Sequence, residues 1–222
     1  MTVNVYIVRH GQTYLNLYHK MQGWADAPLT KSGINDGIEA GKALAKAGIK
    51  FDYAFSSDLA RAVKTAQLAL QQLPADACPS LHTDPNFREQ FFGFLEGLPI
   101  LDALKILNGN DHYQSFDDYM KDYPMAQICD KMHAMDPKGC AEDYTTFINR
   151  LKIGFAKLRS LPAGSNVLLV NHGIVLRTLM HRIDPEGKVY DFSSPDNGAI
   201  TKLVLDGDQT KLIYFNKKQI AG

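Results

Sequence analysis

Two strand-like segments, far apart in the chain, end in the same way. Residues 3–8 run into Arg9-His10-Gly11, and residues 167–170 run into Asn171-His172-Gly173. Short, nearly continuous apolar runs of this kind read as strands buried on both faces. A strand covered on both faces needs helices above and below it, which points to a mostly parallel sheet. In open α/β sheets the ligand lies beyond the carboxyl ends of the strands. Both segments therefore carry an imidazole, a glycine and a polar side chain to the place where an α/β domain does its chemistry.

The rest of the chain fills in that architecture. Thr30 suits the N-cap of a helix over 34–47, stopped by Gly48. A second strand is predicted over 51–55, and a helix over 59–73 capped by Ser57 or Asp58. Another helix is predicted over 144–158, with Glu142 and Asp143 near its positive end. A helix over 174–181 follows the third strand. Two edge strands, 199–205 and 211–215, are joined by the turn Asp206-Gly207-Asp208. The stretch 98–141 has weak periodicity and much Asp, Tyr, Met and Asn. It reads as a partly helical insertion over the strand ends, within one domain spanning 1–222.

The balance of charge narrows the function. The 222 residues hold 24 Lys+Arg and 24 Asp+Glu, with no basic excess to recruit a nucleic acid. Affinity for an anion must come from local placement. Cys78, Cys129 and Cys140 make no Cys-x-x-Cys pair, and three is an odd number. A reducing, cytoplasmic setting is the simpler expectation. No basic leader-like segment opens the chain, and no apolar stretch approaches membrane-spanning length, so no membrane partner is expected.

The predicted strand ends form one constellation. The first supplies Arg9, His10 and Gly11. The second leads through Ser56-Ser57-Asp58 to Arg61 at a helix start, and the third supplies His172 and Gly173. Two guanidinium groups, two imidazoles and free helix-start N–H groups suit a phosphate. Gly11 and Gly173 would let it approach the backbone. His10 is the candidate nucleophile, kept neutral by Arg9 and Arg61. The leaving oxygen then needs a proton. Glu89 and Glu96 are both candidates, and spacing does not choose between them. A metal held by His10, His172 and Glu89 is the competing reading, opposed by two arginines in the same pocket.

Five blocks in order carry a resemblance: RHGQTYLN (9–16), QGWADAPLTKSG (22–33), SSDLARAVKTA (56–66), REQFFGFLEG (88–97) and NHG (171–173). The chain resembles the histidine phosphatase superfamily, in the branch that holds the cofactor-dependent phosphoglycerate mutases. The resemblance implies a three-layer α/β/α sandwich and no metal or other cofactor. It implies that His10 carries a phosphoryl group, that Arg9, Arg61 and His172 bind that group, and that Glu89 is the proton donor. It places Asn16, Gln22 and Gly23 on the phosphate-facing loop.

Within that branch the residues favour hydrolysis of a small phosphomonoester. Mutases of the family carry Arg directly after the catalytic Glu, and here Gln90 stands there. No arginine occurs between Glu89 and Asn149. Eight acidic residues against three lysines over 111–143 would disfavour a polyanion if they overlie the pocket. Phosphoglycerate mutase-type transfer is the alternative. A non-catalytic phospho-ligand module is a further one, set against the presence of both nucleophile and acid. Aromatic residues 91, 92, 94, 113, 116, 119 and 123 read as the insertion's own small core, or as a wall for the leaving group. Glu96 reads as a solvated acid.

Overall fold

The structure is a computed structural model and describes residues 2–190 and 193–220. Its elements run β1 (Thr2–Arg9), α1 (Tyr14–Leu17), α2 (Lys31–Lys46), β2 (Tyr53–Ser56), α3 (Ala60–Leu70), β3 (Leu81–Thr83), α4 (Ile100–Asn108), α5 (Phe116–Asp122), α6 (Met125–Met135), α7 (Tyr144–Arg159), β4 (Asn166–Asn171), α8 (Gly173–Ile183), β5 (Ile200–Asp206) and β6 (Gln209–Lys217). The strands form one sheet in the order β3-β2-β4-β1-β5-β6. The three pairings from β3 to β1 are parallel, and β5 and β6 are antiparallel additions.

Two apolar faces of β1 make the layers. Val3, Val5 and Ile7 pack with Phe155 and Leu158 of α7 and with Leu176 and Met180 of α8. Tyr6 and Val8 point the other way, onto Ala40 and Leu44 of α2 and Ala62 and Ala66 of α3. The strand's period of two thus builds a three-layer α/β/α sandwich. The small residues of α2 and α3 allow close approach. A Cβ on Gly41 would lie 2.3 Å from the carbonyl oxygen of Ala69.

Local signals place the helices well. Thr30 accepts from the N–H of Gly33 at 3.0 Å and starts α2, and Gly48 takes φ +68 just past its end. Asp143 caps α7 through the N–H of Thr146 at 2.7 Å. Two expectations need correction. Neither Ser57 nor Asp58 caps α3, whose N-cap is Leu59 with no side-chain bond. Ser57 turns to His172 and Asp58 to Arg88, because each finds a more demanding partner there. β5 is an interior strand between β1 and β6, so only β6 is an edge. The other edge is the short β3, whose three residues give too little periodicity to be seen in advance.

The stretch 98–141 holds α4, α5 and α6. Leu104, Tyr119, Met125, Ile128 and Met132 make a second core there with Phe92, Leu95, Phe147 and Leu151. Tyr113, Tyr119 and Tyr123 pack on one another, with ring centroids 4.9–6.3 Å apart, so these tyrosines serve that core.

Candidate active site

Strand register brings the two imidazoles together. β1 and β4 run parallel with Arg9 opposite Asn171, so His10 and His172 leave the sheet side by side. Their ring centroids are 5.1 Å apart. Both are buried, as is Arg61 from the first turn of α3.

Arg61 ties the cluster. Its Nε donates to Nε2 of His10 at 3.3 Å, and one terminal nitrogen donates to Nδ1 of His172 at 3.2 Å. The same nitrogen donates to the carbonyl of Gly23 at 2.6 Å. The other donates to the carbonyl of Ala25 and to Asp26, each at 3.1 Å. A guanidinium only donates, so both histidine nitrogens facing it are lone pairs. Nδ1–H of His10 then donates to the carbonyl of Gly11 at 2.8 Å, and Nε2–H of His172 donates to Ser57 at 2.7 Å. Burial holds both imidazoles well below their ordinary pKa. For His10, Arg61 and Arg9 add to that, and for His172, Arg61 and His10 do. Both rings are neutral at pH 7. The Arg61 guanidinium thus faces the lone pairs of both histidines. Among the described residues no group of His, Cys, Asp and Glu is placed to hold a metal ion.

Glu89 sits at the opposite wall, on the first turn of α8. Its carboxylate accepts from the N–H groups of Ile174 at 2.9 Å, Val175 at 3.1 Å and Gln90 at 3.1 Å. Burial raises its pKa; the Ile174 N–H and the charge of Arg61 pull the other way and do not prevail. Of the helix-start N–H groups expected to be free, those of Ile174 and Val175 on α8 are taken by Glu89, and that of Ala60 on α3 is taken by Asp26. An acidic side chain at the positive end of a helix is satisfied by the protein itself.

The donors left over are side chains. Nε of Arg9 and Nε2 of Gln22 are buried without an acceptor among the described residues, although Arg9 also donates to the carbonyl of Pro195 and Gln22 accepts from Thr13. Arg9, Gln22, Asn16, Glu89 and Gly173 line one cavity of about 260 Å³. His10, Arg61 and His172 are not among the residues that line it.

The glycines also serve packing. A Cβ on Gly11 would meet the carbonyl oxygen of Gly33 at 2.1 Å, and the Gly11 N–H already donates to Thr65 at 2.9 Å. A Cβ on Gly23 would meet the carbonyl oxygen of Gln90 at 2.1 Å. Gly173 leaves room for the Arg9 guanidinium, 3.3 Å from where its Cβ would stand.

Two residues matter more than their sequence context suggested. Glu96, expected as a solvated acid, accepts from the N–H groups of Gly23, Trp24, Ala25 and Phe92 at 2.9–3.1 Å. It clamps the loop whose carbonyls hold Arg61. Arg150 of α7 bonds Glu142 and also donates to the carbonyls of Asn86, Arg88 and Glu89. Nothing local marked Glu96, because its partners are backbone groups of a distant loop. The acidic stretch 111–143 also reads differently in three dimensions. Asp117 is its one acidic side chain on the cavity. Asp111 and Asp118 pair with lysines, Glu142 pairs with Arg150, and Asp136 accepts backbone N–H groups.

The chain belongs to the histidine phosphatase superfamily (branch 1), whose family model matches residues 5–218. It is 32% identical over 179 residues to the Yersinia pestis (strain Pestoides F) protein named probable phosphoglycerate mutase GpmB, covering 80% of this chain and 73% of the relative. The phosphoglycerate mutase structure of Bacillus anthracis str. Sterne superposes with a TM-score of 0.82 at 30% identity, covering 98% of this chain and 94% of that one. The alpha-ribazole phosphatase of Shigella flexneri superposes with a TM-score of 0.71 at 25% identity, covering 99% and 98%.

Proposed function

We propose that the chain hydrolyses a small phosphomonoester through a phosphohistidine on His10, without a metal. The observation that carries this reading is the fixed tautomer of His10. With Nδ1–H held by Gly11, the lone pair of Nε2 faces Arg61. The 3.3 Å bond from Arg61 is long, and a phosphoryl oxygen is the better acceptor for a guanidinium.

Nε2 of His10 attacks phosphorus, the bond to the leaving oxygen breaks, and the Glu89 carboxyl proton passes to that oxygen. Water then attacks phosphorus, its proton goes to Glu89, the P–N bond breaks and phosphate leaves. Arg9, Arg61 and Gln22 stabilise the transferring group by position and charge. Raised carboxyl and lowered imidazole pKa values suit these starting protonation states.

Similarity to proteins named as mutases favours the second reading, reversible transfer between positions of a phosphoglycerate. Gln90 speaks for hydrolysis. It is buried, with its amide against the sulfur of Met132, and offers no cation to a second acidic group. Phosphate release from phenyl phosphate, absent in His10→Ala, and an acid-labile, base-stable phosphoprotein are the expected results. Interconversion of phosphoglycerates faster than any hydrolysis would establish the mutase reading instead.

A further inference from the structure

We propose that the ion pair between Arg177 and Asp117 reads a hydroxyl of the leaving group, so that the preferred substrate is a small polyol or sugar phosphomonoester. This deepens the hydrolase reading and rests on it. Arg177 lies one turn into α8, past the N–H groups that hold Glu89, and lines the same cavity. It is only 4% exposed, yet one of its nitrogens carries all its contacts. Nη1 meets the carboxylate of Asp117 and donates to the hydroxyl of Ser194 at 3.1 Å. The hydroxyl of Ser194 donates in turn to the same Asp117 oxygen at 2.7 Å. Among the described residues Nε and Nη2 of Arg177 have no acceptor and the second oxygen of Asp117 has no donor.

What remains is a donor next to an acceptor on a pair whose charges cancel. A hydroxyl is the small neutral group that accepts from the one and donates to the other. A carboxylate there would face Asp117, and an ammonium would face Arg177. An aryl group would leave the arginine donors desolvated and unpaired, which is costly. The rest of the lining suits a polyol too, with Asn16 and Ser115 among apolar Met21, Ile100 and Phe116. The cavity, about 260 Å³, falls below the roughly 300–1,000 Å³ usual for drug-sized ligands, so the leaving group is small. Lys20 also lines the cavity, without a carboxylate partner among the described residues, and is the feature that would draw a second anion.

The test compares kcat/KM for glycerol 1-phosphate, a hexose 6-phosphate, phenyl phosphate and phosphoglycolate, with wild type and Asp117→Asn. Asp117 is half-exposed on α5, so the isosteric change is expected to fold, and an unchanged Tm verifies it. Wild type should prefer the hydroxylated substrates over phenyl phosphate. In Asp117→Asn the ratio of the two should fall roughly ten- to a hundredfold, as for loss of a charge-assisted hydrogen bond. Retention of the wild-type ratio overturns the proposal. So does a preference for phosphoglycolate, which would assign the outer cavity to Lys20 and a carboxylate. Hydrolysis of phenyl phosphate without a polyol preference defeats this inference alone, whereas no hydrolysis of any of the four defeats the hydrolase reading beneath it.

Discussion

The indole N–H of Trp24 donates to the backbone carbonyl of Glu89 at 2.8 Å. The ring also stacks on Phe91, with centroids 4.9 Å apart, and lies under the guanidinium of Arg88 at 4.5 Å. The loop that holds Arg61 and the segment that carries Glu89 are thereby joined through one side chain. Trp24→Phe keeps most of the stacking and loses the bond, and Arg150 still donates to the same carbonyl. Its kcat should fall about two- to tenfold, the range of one neutral hydrogen bond. Trp24 is the only tryptophan of the chain, so its emission reports directly on this wall. Orthovanadate should shift that emission in wild type. An unresponsive emission alongside inhibition by vanadate would place the phosphoryl site elsewhere.

The rate should fall on the alkaline side as Glu89 loses its proton. Burial lifts that carboxyl above its ordinary range, and the first transfer needs it protonated. The acid limb belongs to His10, which burial, Arg61 and Arg9 hold well below the ordinary imidazole range. The kcat/KM profile is therefore bell-shaped, with His10 setting the acid limb and Glu89 the alkaline one. Glu89→Gln should lose the alkaline limb and turn over roughly 10²–10⁴-fold more slowly. An intact alkaline limb in that variant would reassign the acid.

The same histidines couple stability to pH. His10 and His172 stay neutral in the folded protein, while in the unfolded chain they take up protons below about pH 6.5. The unfolded state then binds more protons, so stability is complete above that pH and is lost as pH falls through it. Two such groups give up to about 2.7 kcal/mol per pH unit. His181, lowered by partial burial and Arg177, adds to the trend. Carboxylates held low by their partners, such as Asp58 with Arg88, act only at more acidic pH. Denaturant titrations of wild type and His10→Gln across the window should show the slope reduced in the variant.

Glu96→Gln tests the clamp on the 23–25 loop. Each carboxylate oxygen of Glu96 accepts two backbone N–H groups. An amide in its place turns an NH2 toward two of those donors. The loss should be about 2 kcal/mol from the unsatisfied N–H groups. Since the carbonyls of Gly23 and Ala25 orient Arg61, kcat should fall with it while Glu96 itself touches no substrate. A full-rate enzyme of lowered Tm would confine Glu96 to stability.

How far the sequence carried differs between elements for physical reasons. Strands and helices with a strong period, such as β1, β4, α2 and α7, were legible, and so was the meeting of His10 with His172, because parallel strands of one sheet end together. Arg61 followed from its place at a helix start. The short β3 and the interior position of β5 were not legible, since pairing order depends on contacts between distant segments. The charge count over 111–143 misled for the same reason: an acid's effect depends on its partner, and Asp117 alone faces the cavity. Glu96 was hidden because backbone N–H groups carry no residue identity.

Gly11 offers the sharpest separation of packing from ligand approach. Its sequence context, just after His10, suggested room for a phosphate. In the structure the space of its missing Cβ is filled by the carbonyl oxygen of Gly33, 2.1 Å away, and a Cβ on Gly33 would in turn lie 1.9 Å from the carbonyl oxygen of Gln12. Two glycines thus let the loop after β1 lie directly on the first turn of α2. Gly11→Ala must push that backbone apart, at a cost of about 2–3 kcal/mol, or roughly 5–10 °C in Tm for a chain of this size. A glycine kept for phosphate approach would behave otherwise, lowering phosphate and vanadate affinity at unchanged Tm. Thermal unfolding of the variant beside a vanadate titration decides between the two, and the close backbone contact predicts that the Tm moves.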